Sequence, residues 1–336
     1  MTVVGPFGLS VRDQALEADV QAGLAAVEAG LLDATKSEVP FITEAAQHLV
    51  SAGGKRFRPL LVMLAAQFGD PDAPGVVPSA VVVELTHLAT LYHDDVMDEA
   101  DVRRGVESAN TRWGNSVAVL TGDFLFARAS HILADLGPEA VRIQAEAFER
   151  LVTGQILETA GPRDGRDPVD HYMDVLSGKT GSLVAVSGRF GALMAGADES
   201  VVDILTQYGE RLGIAFQLAD DVLDIASDSH ESGKTPGTDL REGIPTLPVL
   251  LLRARSEAEG RPEDKELLAM LDGDLGDDAL LAEALRRLRA HPALEQARRD
   301  TVRYAQEARA TLAPLPECYA KAALEELCDA VVHRAG

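Results

Sequence analysis

The chain has 336 residues, 46% of them apolar and 25% charged, enough to bury a large core. Its 54 acidic against 31 basic residues leave a net charge of −23, which opposes wrapping by a nucleic acid and confines any site for an anionic substrate to a local cationic pocket. Cys318 and Cys328 lack CxxC spacing, no apolar run approaches the roughly 18 residues that span a bilayer, and the start "MTVVGPFGLSVRDQ" has no signal-peptide pattern. These features predict a soluble, cytoplasmic chain with no transmembrane segment and no nucleic-acid partner.

In chain order, apolar residues recur every three or four positions over roughly 12–33, 41–51, 58–68, 77–98, 116–135, 138–160, 168–195, 199–227, 245–257, 264–272, 277–290 and 294–334. That is helix periodicity. Two-residue hairpin turns between alternating segments are missing, so no sheet is expected. Stretches rich in Gly, Pro and Asp at 69–75, 161–168, 227–239 and 271–278 punctuate the helices, and none of them divides the chain in two. The expectation is an all-α helical bundle forming one domain over 1–336.

The predicted 77–98 helix ends in Asp94, Asp95 and Asp98, and the 199–227 helix ends in Asp220, Asp221 and Asp224. Asp94 with Asp98, and Asp220 with Asp224, are i, i+4 pairs on one helix face, about 6 Å apart along the axis. Like charges at a helix C-terminus repel one another and also oppose the macrodipole, so a cation should compensate. One such cluster reads as a solvated acidic face. Two with the same spacing, each followed by a basic element in a glycine-containing loop, point to metal. Oxygen donors at this density suit Mg²⁺ completed by substrate phosphates, while the absence of His and Cys ligands disfavours zinc.

The chain holds six lysines, and three follow a glycine: Lys55 in "GGKRFRP", Lys179 in "GKTGSL" and Lys234 in "SGKTPGTD". A compact ammonium beside a glycine suits a phosphate oxygen. With Arg58, Arg103 and Arg104 these lysines predict two diphosphate sites.

Through "GGKRFRP", "ELTHLATLYHDDVMDEADVRRG", "LTGDFLFARA", "GKTGSL" and "FQLADDVLDIASDSHESGKTPGTDLREGIPTLPV", about residues 47–250, the sequence resembles the trans-isoprenyl diphosphate synthases, or polyprenyl synthetases. The resemblance implies the isoprenoid synthase fold, a homodimer, and a central cavity in which the two aspartate clusters face each other and hold Mg²⁺, three ions per active site. It implies that Asp94, Asp98 and Asp220 bind metal directly and Asp224 through water, with Asp95 and Asp221 behind them. Arg103, Lys179, Thr180, Gln217 and Lys234 match residues that hold the allylic diphosphate. Lys55, Arg58, His87 and Arg104 match those that hold isopentenyl diphosphate. By itself His87 reads as a satisfied core histidine. Gln155 and Glu158 match a polar pair near the metals, and Thr238 stands where some members carry another lysine.

The implied reaction is metal-assisted ionisation of the allylic diphosphate, addition of isopentenyl diphosphate to the resulting cation, and deprotonation by the departed diphosphate. Asp94, Asp98, Asp220, Asp224 and Lys179 would carry it. The growing chain should descend below Asp94, where short-chain members place an aromatic floor and this sequence has Ala89, Thr90 and, a turn deeper, Thr86. Small residues there predict a long-chain product. The alternatives are a geranylgeranyl diphosphate synthase and a non-catalytic subunit of a hetero-oligomeric synthase, which would be expected to have lost aspartates or lysines.

Overall fold

Helix starts follow their caps. Asp13 accepts hydrogen bonds from the Ala15 and Leu16 amides at 2.7 and 3.0 Å and opens α1 (Gln14–Ala34); Asp167 and Asp277 cap two later helices in the same way. The computed structural model describes residues 3–4, 9–10, 13–227 and 236–335. The helices after α1 are α2 (Pro40–Ser51), α3 (Phe57–Ala66), α4 (Val76–Met97), α5 (Ala109–Trp113), α6 (Asn115–Leu136), α7 (Pro138–Ala160) and α8 (Pro168–Leu176). Then come α9 (Ser182–Met194), α10 (Glu199–Ala226), α11 (Thr238–Arg241), α12 (Leu247–Glu259), α13 (Pro262–Leu271), α14 (Asp278–Arg289), α15 (Pro292–Thr311) and α16 (Tyr319–Ala335).

The chain forms two compact units. One comprises the residues up to Glu149 with Leu183–Gly209 and Thr311–Leu327; the other comprises Arg150–Ser182, Glu210–Ala310 and the residues from Cys328 on.

In the first unit α3 and α4 form the centre. Every residue of α3 except Arg58 is buried, and α4 is buried without interruption from Ser79 to Thr86 and again at Leu88 and Ala89. Ser79 and Thr86 survive in that setting because their hydroxyls donate back to the Val76 and Val82 carbonyls at 2.8 and 2.9 Å. Gly191 lets α9 lie directly on α3, since a Cβ there would collide with the Val62 carbonyl oxygen. Tyr92, fully buried, ties α4 to α2: its hydroxyl donates to the Ala45 carbonyl at 2.6 Å and accepts from the Leu49 amide at 3.3 Å.

Four sequence expectations need correction. Strands do occur: β1 (Val3–Val4) pairs with β2 (Leu9–Ser10), and β3 (Val102–Arg103) and β4 (Val106–Glu107) form an antiparallel hairpin. The two loop residues of that hairpin, Arg104 and Gly105, have φ of 54° and 78°, as a two-residue connection requires. These ladders are two residues long, too short for alternation to register. The predicted 168–195 helix is interrupted by a π-helical turn at Ser177–Gly181, and the predicted 294–334 helix breaks after Thr311, near Pro314 and Pro316. Finally, α6 is by length and composition apolar enough to cross a membrane, contrary to the reading of the apolar runs. It packs along α4, and its charges meet neighbours: Arg128 donates to the Ala34 carbonyl at 2.5 Å and Asp123 lies 3.5 Å from His93.

Tyr92→Phe deletes both hydroxyl contacts in a dry setting. It should lower the unfolding free energy by about 1–3 kcal/mol in urea titrations, whereas an unchanged midpoint would show that the α2–α4 tie carries no stability.

Candidate active site

In the first unit, cationic side chains converge on a buried carboxylate. Glu84, 2% exposed, lies one turn before His87 on α4. Arg56 Nη1 donates to it at 3.0 Å and Arg104 Nη2 lies 3.8 Å away. Arg56 is also held by Glu28 of α1, by the Val50 carbonyl at 3.0 Å and by the Gly53 carbonyl at 3.3 Å. Burial disfavours its charge, but the two glutamates more than offset this and raise its pKa. Arg104 donates to the Leu49 carbonyl at 3.1 Å and to the Gly53 carbonyl. Gly54 makes room for it, because a Cβ there would stand 2.9 Å from the Arg104 guanidinium.

Arg58, on the first turn of α3, is held differently. Its Nε is buried without a hydrogen-bond partner among the described residues. Burial pushes its pKa down to about 10, with Glu84 opposing and Arg104 reinforcing the shift. His87 is driven well below its ordinary value by burial and then by Arg58, Arg104, Arg103 and Arg56, so it is a neutral imidazole at pH 7. Lys55 is exposed in the preceding loop. Arg58, His87 and Arg104 therefore come together beside Arg56, which Glu28 and Glu84 fix, and this cluster of positive charge could receive an anion.

The first aspartate cluster lies on the same helix. Asp94 is half-buried and Asp98, the C-terminal cap of α4, is 54% exposed. Asp95 is turned inward and fully buried, and Arg103 Nε donates to it at 2.5 Å while Arg103 Nη2 reaches Asp98 at 3.8 Å. Burial raises the Asp95 pKa, partly offset by Arg103. The arginine matched to the allylic diphosphate is thus already oriented by this cluster. Below it, Ala89 and Thr86 are fully buried and Thr90 is half-buried.

The second unit carries the other set. Asp220 and Asp224 of α10 are half-buried, and Asp221 is 5% exposed. Asp221 accepts from the Tyr172 hydroxyl and, at 3.0 Å, from Gln217 Nε2. Burial lifts its pKa to about 6 despite both bonds. The Thr180 hydroxyl donates to Gln217 Oε1 at 3.3 Å, so a chain of hydrogen bonds runs from α8 through α10 to the π turn. Lys179, in that turn, pairs with Glu158 at 2.6 Å, and Gln155 Nε2 donates to the same carboxylate at 3.0 Å. Asp224 accepts from the Thr238 and Asp239 amides at 3.2 and 3.3 Å, fixing the start of α11. Lys234 lies outside the described residues.

Gly154 explains how α7 reaches the π turn. A Cβ there would meet the Lys179 amide nitrogen at 2.6 Å and one on Gly178 would meet the Arg150 carbonyl at 2.9 Å, so helix and turn touch backbone to backbone. Sequence reasoning passed over Glu84, Tyr172 and Gly154, and read Gly178 only as the glycine before Lys179. Only Glu84 had a local signal, a carboxylate one turn before His87 in an otherwise apolar helix.

Among the described residues no three His, Cys, Asp or Glu side chains stand close enough to hold a metal by themselves. Mg²⁺ does not need such a cage: it keeps several waters and takes a few carboxylates plus phosphate oxygens. Half-exposed oxygen donors at i, i+4 spacing fit that requirement.

The polyprenyl synthetase family profile matches residues 39–288. A nonaprenyl diphosphate synthase of Mycobacterium tuberculosis is 47% identical over 330 residues, covering 98% of this chain and 97% of its own length. A geranylgeranyl pyrophosphate synthase of Corynebacterium glutamicum, solved with calcium and isoprenyl diphosphate, superposes with a TM-score of 0.87 at 45% identity, covering 97% of this chain and 99% of that one. A decaprenyl diphosphate synthase of Rhodobacter capsulatus gives 0.85 at 36% identity, with 96% and 99% covered. With this fold, these motifs and matches spanning almost the whole chain, the protein belongs to the polyprenyl synthetase family of prenyltransferases, enzymes that join isopentenyl and allylic diphosphates with a divalent metal.

Proposed function

We propose that the chain is a long-chain all-trans polyprenyl diphosphate synthase acting as one catalytic domain in the cytoplasm. It condenses isopentenyl diphosphate head to tail onto an allylic diphosphate until the product has about seven to ten isoprene units, the range spanned by its heptaprenyl, nonaprenyl and decaprenyl relatives. The observation that carries the reading is the cationic pocket that Arg58 of α3 and Arg104 of the β3–β4 hairpin form around His87 of α4, the helix that also bears Asp94 and ends at Asp98, with no aromatic residue at 86, 89 or 90.

In this reading Asp94, Asp98 and Asp220, with Asp224, would hold Mg²⁺, three ions per site, which when bound would supply charge neutralisation for the departing diphosphate. Lys179, Arg103 and Lys234 orient the allylic diphosphate, with Thr180 and Gln217 hydrogen-bonding beside them. Lys55, Arg58, Arg104 and His87 grip isopentenyl diphosphate and present its double bond to the allylic carbon that loses the diphosphate. The departed diphosphate then takes the proton, since no side chain of the motifs is needed as nucleophile or base. A second reading, a product of geranylgeranyl length, draws on the name of the Corynebacterium neighbour and on the full burial of Thr86 and Ala89.

We also propose a homodimer. The α6 helix leaves Leu120 65% exposed and Val119 38% exposed, an unusual share of solvent for an apolar helix.

The single purified chain with Mg²⁺, a farnesyl primer and labelled isopentenyl diphosphate should yield long-chain product on chromatography, and Asp94→Asn should lower kcat on the order of 10²–10³-fold. A product that stops at geranylgeranyl diphosphate rejects the long-chain reading, and inactivity of the lone chain favours a subunit role. Leu120→Asp should convert the dimer to monomer in sedimentation velocity; a wild-type monomer removes the dimer proposal. Because burial and the neighbouring guanidiniums hold His87 neutral, an arriving diphosphate should raise its pKa and draw a proton from solvent. Isopentenyl diphosphate binding at pH 7, titrated calorimetrically in two buffers of different ionisation enthalpy, should therefore show net proton uptake that His87→Asn abolishes.

A further inference from the structure

Gln144 is a buried polar group that the reaction as described does not use. It lies on the inner side of α7, 6% exposed, and its Nε2 donates to Thr86 Oγ1 of α4 at 2.8 Å. Its Oε1 is buried with no hydrogen-bond partner among the described residues. Thr86 lies eight residues before Asp94, ~12 Å down the helix axis at 1.5 Å per residue. Because Thr86 and Ala89 are fully buried, no water-sized gap adjoins them.

A static core would favour an apolar side chain of similar volume here, since an amide oxygen kept dry and unbonded is a standing cost. The surrounding wall is firm by comparison. Phe148, one turn along α7, packs against Phe126 of α6 with ring centroids 4.4 Å apart and the ring planes tilted by 55°. Among the described residues Gln144 is anchored through one neutral hydrogen bond, and its side chain has several rotamers available.

We propose that Gln144 is the chain-length gate of this enzyme, closed across the hydrocarbon path by its hydrogen bond to Thr86 and displaced by the growing tail. The inference rests on the prenyl synthase reading above. Burial of a further five-carbon unit is worth more than one neutral hydrogen bond, so the tail opens the gate. The same pair delays chains that have just reached it, and some are released there. This accounts for small residues at 86, 89 and 90 beside a path that is shut when no tail fills it.

The test compares product distributions of the wild type, Gln144→Leu, Thr86→Val and the double variant, all with farnesyl primer and labelled isopentenyl diphosphate. Each single change nearly preserves volume and removes the bond. Each should raise the ratio of full-length to intermediate-length product by about 3–10-fold, and the double variant should go no further than either single one. Gln144→Trp should shorten the product. Unchanged distributions in both single variants, or additive effects in the double, overturn the gate. If the wild type stops at geranylgeranyl diphosphate while Gln144→Leu extends it, the long-chain reading fails and the gate stands. If the wild type is long-chain and Gln144→Leu and Thr86→Val match it, the gate fails and the long-chain reading stands.

Discussion

A carboxylate buried among guanidiniums is the constraint from which the cationic half of the site follows. Glu84 is almost without solvent, and a lone charge there would be expensive unless paired. Arg56 answers it directly and Arg104 at slightly longer range, while Glu28 takes the remaining face of Arg56. The arginines are thereby fixed in position, and His87 and Arg58 are left short of negative charge beside them. In a chain of net charge −23, this is how a local demand for anions arises. The acidic surplus elsewhere does not cancel it because buried pairs are screened little by solvent and salt.

The aspartate clusters divide their labour in the same physical terms. In each doublet one carboxylate faces outward and is partly exposed, while its neighbour is buried and bonded within its own unit. Asp95 orients Arg103, and Asp221 is held by Tyr172 and Gln217. An i, i+4 pair at a helix end is a good metal edge only if its direction is fixed, and the inward aspartate of each doublet supplies that fixation. The repulsion that makes such clusters look unfavourable in sequence is relieved partly by Arg103 in one unit and by the amides that open α11 in the other.

Periodicity located most helices because an amphipathic or buried helix writes its spacing directly into the chain. The motifs marked the candidate groups because paired carboxylates and glycine-flanked lysines are local patterns. What escaped was non-local or too short. The Arg104–Gly105 hairpin pairs only two residues on each side, and the π turn at Ser177–Gly181 sits inside an unbroken apolar rhythm. Tyr172 and Gln144 look like ordinary helix residues until a partner 49 or 58 positions away is known. Lys234 has a clear local signature, yet it lies outside the described residues.

The contact of Gly154 with Gly178 removes the cushion of side chains that normally separates a helix from its neighbour. Lys179 and Glu158, on either side of that contact, consequently share one mechanical reference. Directed evolution that tilts the part of α7 around Gly154 would carry the lysine along with it. Changes of product size that spare turnover must then come from swapping individual side chains, with the backbone of that crossing left where it is.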